Sequence, residues 1–161
     1  MAEWKSDIRS CTSKDVEGVL AFVRLCPPLE VHTAFTYWVT LSLWGDTCCV
    51  AVDGKEIIGY ASAIGDGRSP ESIYIWQVGV QEAYRGRGLS QALIGNVVGA
   101  ARDKGFRRAQ VSIAPENTAS LGAFRRLAGV LGQDLEELGE VSFRDSDGKD
   151  VREILYEFEI S

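Results

Sequence analysis

The sequence predicts an α/β domain built on a mixed sheet. Three observations carry that expectation. Short β-branched and aromatic runs alternate with segments whose apolar residues recur at helical spacing. Asp53-Gly54 and Asp145-Ser146-Asp147-Gly148 supply tight turns between consecutive strand candidates. No internal repeat, low-complexity tract or Pro/Gly/Ser-rich linker divides the 161 residues, so a single domain over 1–161 is expected.

Taken in order, residues 6–10 read as a first strand. Thr12 followed by Asp15 has the form of a helix N-terminus and opens a helical run to Leu25. Cys26-Pro27-Pro28 ends that run, because proline lacks a backbone donor and restricts the residue before it. Residues 29–43 read as a second helix or helical loop, rich in aromatics that include Phe35, Tyr37 and Trp38, with Trp44 just behind. Residues 47–52 and 57–64 form two strands about the Asp53-Gly54 turn, and 73–80 a third, strongly apolar one. Leu89, Ala92, Leu93, Val97, Ala100 and Ala101 then mark one buried face of a helix that Gly105 ends. Residues 109–114 are a strand and 117–128 a helix. Strands at 137–144 and 151–160 flank the last turn. The expected order is β-α-α-β-β-β-α-β-α-β-β.

Composition bounds the function. Apolar residues make up 45% and charged residues 25% of the chain, which is globular and excludes disorder. A chain of this length buries roughly two thirds of its unfolded surface and needs neither disulfide nor metal staples. Cys11, Cys26, Cys48 and Cys49 lack zinc-type spacing, and His32 is the sole histidine. The cysteines therefore read as small buried hydrophobes in a reducing compartment, and no metal is expected. No apolar run approaches 18 residues, and Met1-Ala2-Glu3-Trp4-Lys5 lacks the order of a signal peptide, so a cytoplasmic protein without membrane attachment is expected. The net charge of −6 is concentrated in residues 133–161, which carry ten acidic and three basic side chains. Arg85, Arg87, Arg102, Lys104, Arg107, Arg108, Arg125 and Arg126 make the middle basic. Such a chain can hold a polyanion at one place and a cation at another. Its overall acidity disfavours nucleic acid.

The chemistry is carried by Arg85-Gly86-Arg87-Gly88-Leu89-Ser90, between a strand and an amphipathic helix. Glycines let the backbone approach a ligand, and the opening turn of the helix offers unpaired N–H groups and the positive end of its dipole. An anion site results, with Arg85 and Arg87 at its mouth. It is not a Walker A loop: the Gly54-Lys55 pair has Cys49 where the first glycine should stand. Nor is it a dinucleotide fingerprint, since Gln91 occupies the third glycine position.

Arg85-x-x-Gly88-x-Ser90 resembles the pyrophosphate-binding R/Q-x-x-G-x-G/A motif of the GNAT N-acetyltransferase superfamily, with Ser90 in place of Gly or Ala. Asn117-Thr118-Ala119-Ser120-Leu121-Gly122-Ala123-Phe124 is similar to the segment lining the coenzyme A arm in that family. The resemblance implies a GNAT-like single domain using acetyl-CoA as co-substrate. The implied cofactor-binding residues are Val78, Gly79, Val80, Arg85, Gly86, Arg87, Gly88, Leu89, Ser90, Asn117, Ser120 and Phe124. Relatives often have a tyrosine as general acid where Phe124 stands, and Phe124 has no proton to give. Leu25-Cys26-Pro27-Pro28-Leu29-Glu30, Ile75-Trp76-Gln77-Val78 and Pro115-Glu116-Asn117 further resemble the diaminobutyrate acetyltransferases of ectoine biosynthesis. That narrower resemblance spans roughly residues 6 to 130. It implies a substrate pocket containing Glu30, Phe35, Tyr37, Trp76 and Glu153, a small cationic amine as substrate, and a homodimer. The chain departs from that family at Glu30 (usually Asp), Phe35 (usually Tyr) and Asp150, where a histidine is usual.

Acyl transfer to an amine requires a neutral nitrogen. A lysine-like ammonium with a pKa near 10.4 is neutral in about one molecule in 10³ at pH 7.5. A carboxylate can take the surplus proton. Glu30 and Glu153 are the candidates, each equally able to serve as a charge partner of the cationic substrate. A backbone N–H near Gly79 or Val80 is expected to meet the thioester oxygen. Trp76 reads equally as strand core or pocket wall. His32 reads as an ordinary satisfied or exposed histidine, although it follows Glu30 by two residues. The favoured reaction is transfer of acetyl to the γ-amine of L-2,4-diaminobutyrate. Another small amine as acceptor, or a non-catalytic coenzyme A-binding module, are the alternatives.

Overall fold

A computed structural model describes residues 7–161, which form two compact units. The first comprises the described residues up to Ile64 together with Ile75–Lys104; the second comprises Gly65–Tyr74 and Gly105–Ser161. The expected element order is found throughout, although Ser6 of the first predicted strand lies outside the described residues.

In the first unit, β1 (Asp7–Ser10) pairs antiparallel with β2 (Cys49–Asp53), and β2 with β3 (Glu56–Gly65), with an irregularity at Ala51/Val52. The strand order is β1-β2-β3-β4, where β4 (Ser72–Val80) begins in the second unit and ends in the first. Thr12 and Asp15 form the predicted capping box over a short helical turn that leads into α1 (Val16–Arg24). Arg9 grips the Asp15 carboxylate with two nitrogens at 2.8 and 3.0 Å, and the Thr12 N–H adds a third bond at 2.9 Å. These bonds hold the Asp15 carboxyl below its usual value, the Arg9 hydrogen bonds being the largest cause.

The second predicted helix starts late. α2 is Ala34–Trp44, capped by the Thr33 hydroxyl, which accepts from the Thr36 N–H at 3.2 Å. Residues 29–33 are not helical: the two prolines precede them, and Thr33 is a better N-cap than anything upstream. α2 inserts Tyr37 and Leu41 into a core made with Val19, Phe22 and Val23 of α1, Val50 of β2 and Tyr60 of β3. α3 (Leu89–Asp103) buries Leu89, Leu93, Val97 and Ala101 as the spacing predicts, while Ala92 and Ala100 are half-buried and Ile94 and Val98 are buried instead.

All four cysteines are free and buried. Burial pushes the Cys48 and Cys49 thiols to about 12, and that of Cys11 higher still. Thiols held protonated in this way are packing groups, as expected.

In the second unit, β5 (Arg108–Ile113), β7 (Asp150–Glu159) and β6 (Glu136–Arg144) lie in the order β5-β7-β6, both pairs antiparallel. α4 (Thr118–Val130) buries Ala123, Phe124, Leu127 and Ala128. The last turn forms as predicted, with the Asp145 carboxylate accepting from the Asp147 and Lys149 N–H groups at 2.9 Å. Of the acidic residues of the tail, Glu136, Glu137 and Glu140 lie exposed on β6, and Asp150 and Glu159 lie exposed on β7. Among the described residues, no helix is long and apolar enough to cross a membrane.

Candidate active site

The arginine–glycine segment leaves the end of β4 through a short helical turn (Glu82–Tyr84) and enters α3. Gly86 and Gly88 adopt φ of +74° and +79°, conformations that residues with a Cβ adopt at a cost, and among the described residues no heavy atom outside the adjoining residues lies within 4 Å of either absent Cβ. Gly88 is the N-cap of α3 and supplies no side-chain cap. The first-turn N–H groups of Leu89 and Ser90 therefore have no capping side chain. An open, uncapped N-terminus of a fifteen-residue helix, beside backbone that only glycine adopts readily, fits a diphosphate.

The two arginines differ in place. Arg85 turns back: its Nε donates to the Val80 carbonyl at 3.0 Å, and a terminal nitrogen lies 3.9 Å from the Cys26 sulfur. It ties the turn to the end of β4. The Arg87 guanidinium lies over the Tyr84 ring, 5.7 Å from its centroid, and the Tyr84 hydroxyl donates to Asp53 at 2.6 Å.

The Cys26-Pro27-Pro28-Leu29-Glu30 segment packs onto the same strand end. A Cβ on Gly79 would stand 2.5 Å from Leu29 Cδ1 and 3.1 Å from Cys26 Sγ, so glycine is what permits this approach. Glu30 is then held through its backbone. Its carbonyl accepts from Gln77 Nε2 at 2.8 Å and lies 3.5 Å from the Tyr37 hydroxyl oxygen. Gln77 Oε1 accepts from that same hydroxyl at 3.2 Å, and the Gln77 N–H reaches the Ser62 hydroxyl at 3.1 Å. The Tyr37 hydroxyl in turn accepts from the His32 N–H at 3.4 Å. Burial raises the Tyr37 phenol above its ordinary value. The Glu30 carboxylate itself is exposed.

Trp76 is 37% exposed, and its ring lies 4.9 Å from the His32 imidazole. Thus Glu30, His32, Tyr37, Trp76 and Gln77 are brought together, with Val78, Gly79 and Val80 following on the same strand. Phe35 is elsewhere: its ring stacks on Trp38 at 5.6 Å and is 71% exposed on the outer face of α2.

The second unit places Glu153 on β7 with its Oε2 2.5 Å from the Ser112 hydroxyl of β5, which is itself 2.6 Å from the Tyr74 hydroxyl. Asn117 caps α4, its side-chain oxygen accepting from the Ser120 N–H at 3.2 Å. Phe124 is buried and packs on Phe158, with centroids 6.5 Å apart, as a core residue of this unit.

The sequence assigns no role to Gln77, Ser112 or Tyr74 and reads His32 as an ordinary satisfied or exposed histidine. A polar side chain in the apolar run Ile73–Val80 was the available signal for Gln77, since a buried amide needs partners. Ser112 and Tyr74 carried no comparable signal, because half-buried hydroxyls in strands are common.

Residues 17–130 match the model of the acetyltransferase (GNAT) family, and the chain belongs to that family. It is similar to L-2,4-diaminobutyric acid acetyltransferases. The enzyme of Chromohalobacter salexigens is 37% identical over 122 residues, covering 75% of this chain and 64% of the relative. That of Shouchella clausii is 34% identical, covering 77% and 71% respectively. The chain thus spans somewhat less than two thirds of the length of the Chromohalobacter relative. Among solved structures, the fold is that of the diaminobutyrate acetyltransferase EctA from Paenibacillus lautus, in complex with L-2,4-diaminobutyric acid and coenzyme A. The TM-score is 0.85 at 23% identity, over 98% of this chain and 96% of that one. A phosphinothricin acetyltransferase from Sinorhizobium meliloti in complex with AcCoA gives 0.74 at 18% identity, over 97% and 89%.

Proposed function

We propose that this chain transfers the acetyl group of acetyl-CoA to the γ-amine of L-2,4-diaminobutyrate, in the cytoplasm and as a homodimer. The observation that carries the reading is the uncapped start of α3 at Gly88, where Gly86 and Gly88 are both left-handed. Anion binding there needs only backbone donors, which the Gly86 and Gly88 conformations leave accessible. Acetyl-CoA supplies an activated thioester. Leu89 and Ser90 N–H groups and the arginine-bearing turn hold its diphosphate, and backbone N–H groups of Val78, Gly79 and Val80 are the donors for the arm and the thioester oxygen. Asn117, Ser120 and Phe124 serve the arm through the start and packing of α4.

The acceptor reading rests on the relatives and on a cluster suited to a cation. Glu30 offers an exposed carboxylate, Trp76 a half-exposed indole face, and Tyr37 a hydroxyl locked by Gln77. Glu153 is the proposed base. An ammonium N–H breaks and a carboxyl O–H forms on Glu153; the freed lone pair attacks the thioester carbon, the C–S bond breaks, and the surplus proton left on the new amide nitrogen passes to the departing thiolate, giving the free thiol. Holding donor and acceptor in line supplies much of the remaining acceleration. The thiolate leaves without help from Phe124, which has no proton. Phe35, exposed on the outer face of α2, is left out of this pocket.

The test is an amine panel assayed for thiol release from acetyl-CoA, with product mass and fragmentation locating the modified nitrogen. The reading predicts that L-2,4-diaminobutyrate is preferred and modified at Nγ. Glu30→Gln is expected to raise its KM about tenfold, as for loss of one charge-assisted contact of 1–2 kcal/mol. Preference for another amine would overturn the acceptor assignment.

A further inference from the structure

We propose that Ser112 and Tyr74 form a fixed hydrogen-bonded brace that aims Glu153 in the acetyl-transfer reaction. This rests on the proposal above that Glu153 is the base. The geometry is short and unbranched: Tyr74 hydroxyl to Ser112 Oγ, 2.6 Å, and Ser112 Oγ to Glu153 Oε2, 2.5 Å. The Ser112–Glu153 contact is in the range of a charge-assisted O–H···O bond, and the Tyr74–Ser112 contact is a close hydroxyl–hydroxyl bond.

The direction of the protons follows from valence. An ionised carboxylate only accepts, so Ser112 must donate its single hydroxyl proton to Glu153. Ser112 oxygen is then an acceptor, and Tyr74 must be its donor. Burial raises the Tyr74 phenol above its ordinary value, which keeps that donor proton in place. The assignment survives catalysis. When the other oxygen, Oε1, takes a proton from the substrate ammonium, Oε2 still accepts from Ser112. No hydroxyl needs to rotate, and the carboxyl group does not need to be repositioned between its two forms. The brace does not conduct the proton away, because Tyr74 would have to ionise for that. Ser112 and Tyr74 are therefore positioning residues, and the proton leaves through Oε1.

The strand pairing makes this possible. β5 and β7 are antiparallel with Ser112 opposite Leu155 and Ile113 opposite Ile154, so Glu153 stands one step further along β7. Its side chain reaches back to the Ser112 hydroxyl. Tyr74 lies in the segment Gly65–Tyr74 of the same unit, whose Glu71 carbonyl accepts from the Arg107 and Arg108 N–H groups at 2.8 and 3.1 Å. Both ends of the brace are thus tied to β5.

The test compares Ser112→Ala, Ser112→Thr, Tyr74→Phe, Glu153→Gln and the double variant Ser112→Ala/Glu153→Gln, assayed by thiol release with L-2,4-diaminobutyrate. Ser112→Ala is expected to lower kcat by about tenfold to a hundredfold, as misplacement of a reacting group does. Its KM for acetyl-CoA should stay within about twofold, and Ser112→Thr, which keeps the hydroxyl, should recover kcat to within about threefold. The double variant should be no slower than Glu153→Gln alone, since Ser112 acts through Glu153. Tyr74→Phe should give a smaller loss that also vanishes in the Glu153→Gln background, and it serves if Ser112→Ala does not fold. Parental kcat in Ser112→Ala, or multiplicative losses in the double variant, would overturn the brace while leaving the base assignment standing. Parental kcat in Glu153→Gln would overturn the base assignment and the brace with it.

Discussion

Replacing Gln77 by leucine tests how the acceptor cluster is held. The side chain is 5% exposed and joins two elements: its Nε2 donates to the Glu30 carbonyl at 2.8 Å and its Oε1 accepts from Tyr37 at 3.2 Å. Leucine has nearly the same volume but makes neither bond. Leaving buried partners unsatisfied costs about 1–3 kcal/mol each. The full sum is not expected here, because the Tyr37 hydroxyl already lies 3.5 Å from the Glu30 carbonyl and can turn its proton there. The loss should therefore be about 2 kcal/mol, because two bonds give way to one longer bond. For a chain of this size, that lowers the melting temperature by about 4–8 °C. Scanning calorimetry reads the first effect. Kinetics read the second: the segment carrying Glu30 loses its anchor, so KM for the amine should rise several-fold while coenzyme A affinity is unchanged. A melting temperature within about 1 °C of the parent, or an unchanged amine KM, would refute the reasoning.

Two further outcomes follow from ionisation. Asp15 is depressed by Arg9, so its contribution to stability is fully present above the ordinary carboxylate value of about 3.9 and is lost as pH falls through the lower folded value. Asp15→Asn should cost about 1–2 kcal/mol at pH 7 in urea unfolding. That difference should shrink in acid below the ordinary carboxylate range; a difference that grows in acid would contradict the pairing. Burial holds Cys48 and Cys49 at about 12, so at pH 8 only about one such thiol in 10⁴ is ionised. Ellman's reagent should modify them only at the rate at which the protein opens, and quickly in urea. Rapid native labelling of either residue would refute their packing role.

Most of the architecture was legible in the sequence because its signals are local. The Thr12–Asp15 capping box, the Asp53-Gly54 turn and the period of α3 each depend on neighbours along the chain, and each formed as read. The start of α2 was misjudged because apolar, aromatic residues on both sides of Thr33 mask the boundary that its hydroxyl sets. The site was legible where backbone conformation decides it, as at Gly86 and Gly88. It was not legible where side chains from distant strands meet. Gln77 reaches Glu30 across 47 positions, and Ser112 reaches Glu153 across 41, and no periodicity encodes either encounter. Arg85 illustrates the same limit: its motif position indicated charge at the mouth of the loop, whereas the fold spends its Nε on the Val80 carbonyl.

We propose above that main-chain groups at the start of α3 hold the diphosphate of coenzyme A. Titration calorimetry of coenzyme A into the parent protein and into Gly88→Asp tests it directly. The substitution places a carboxylate where the anion would sit, at an effective cost of about 4 kcal/mol for like charges some 4 Å apart. Aspartate tolerates left-handed backbone and caps a helix, so the variant should remain folded by calorimetry. Measurable binding by the parent and a loss of at least about a hundredfold in the variant are expected. Equal affinity in the two proteins would contradict it.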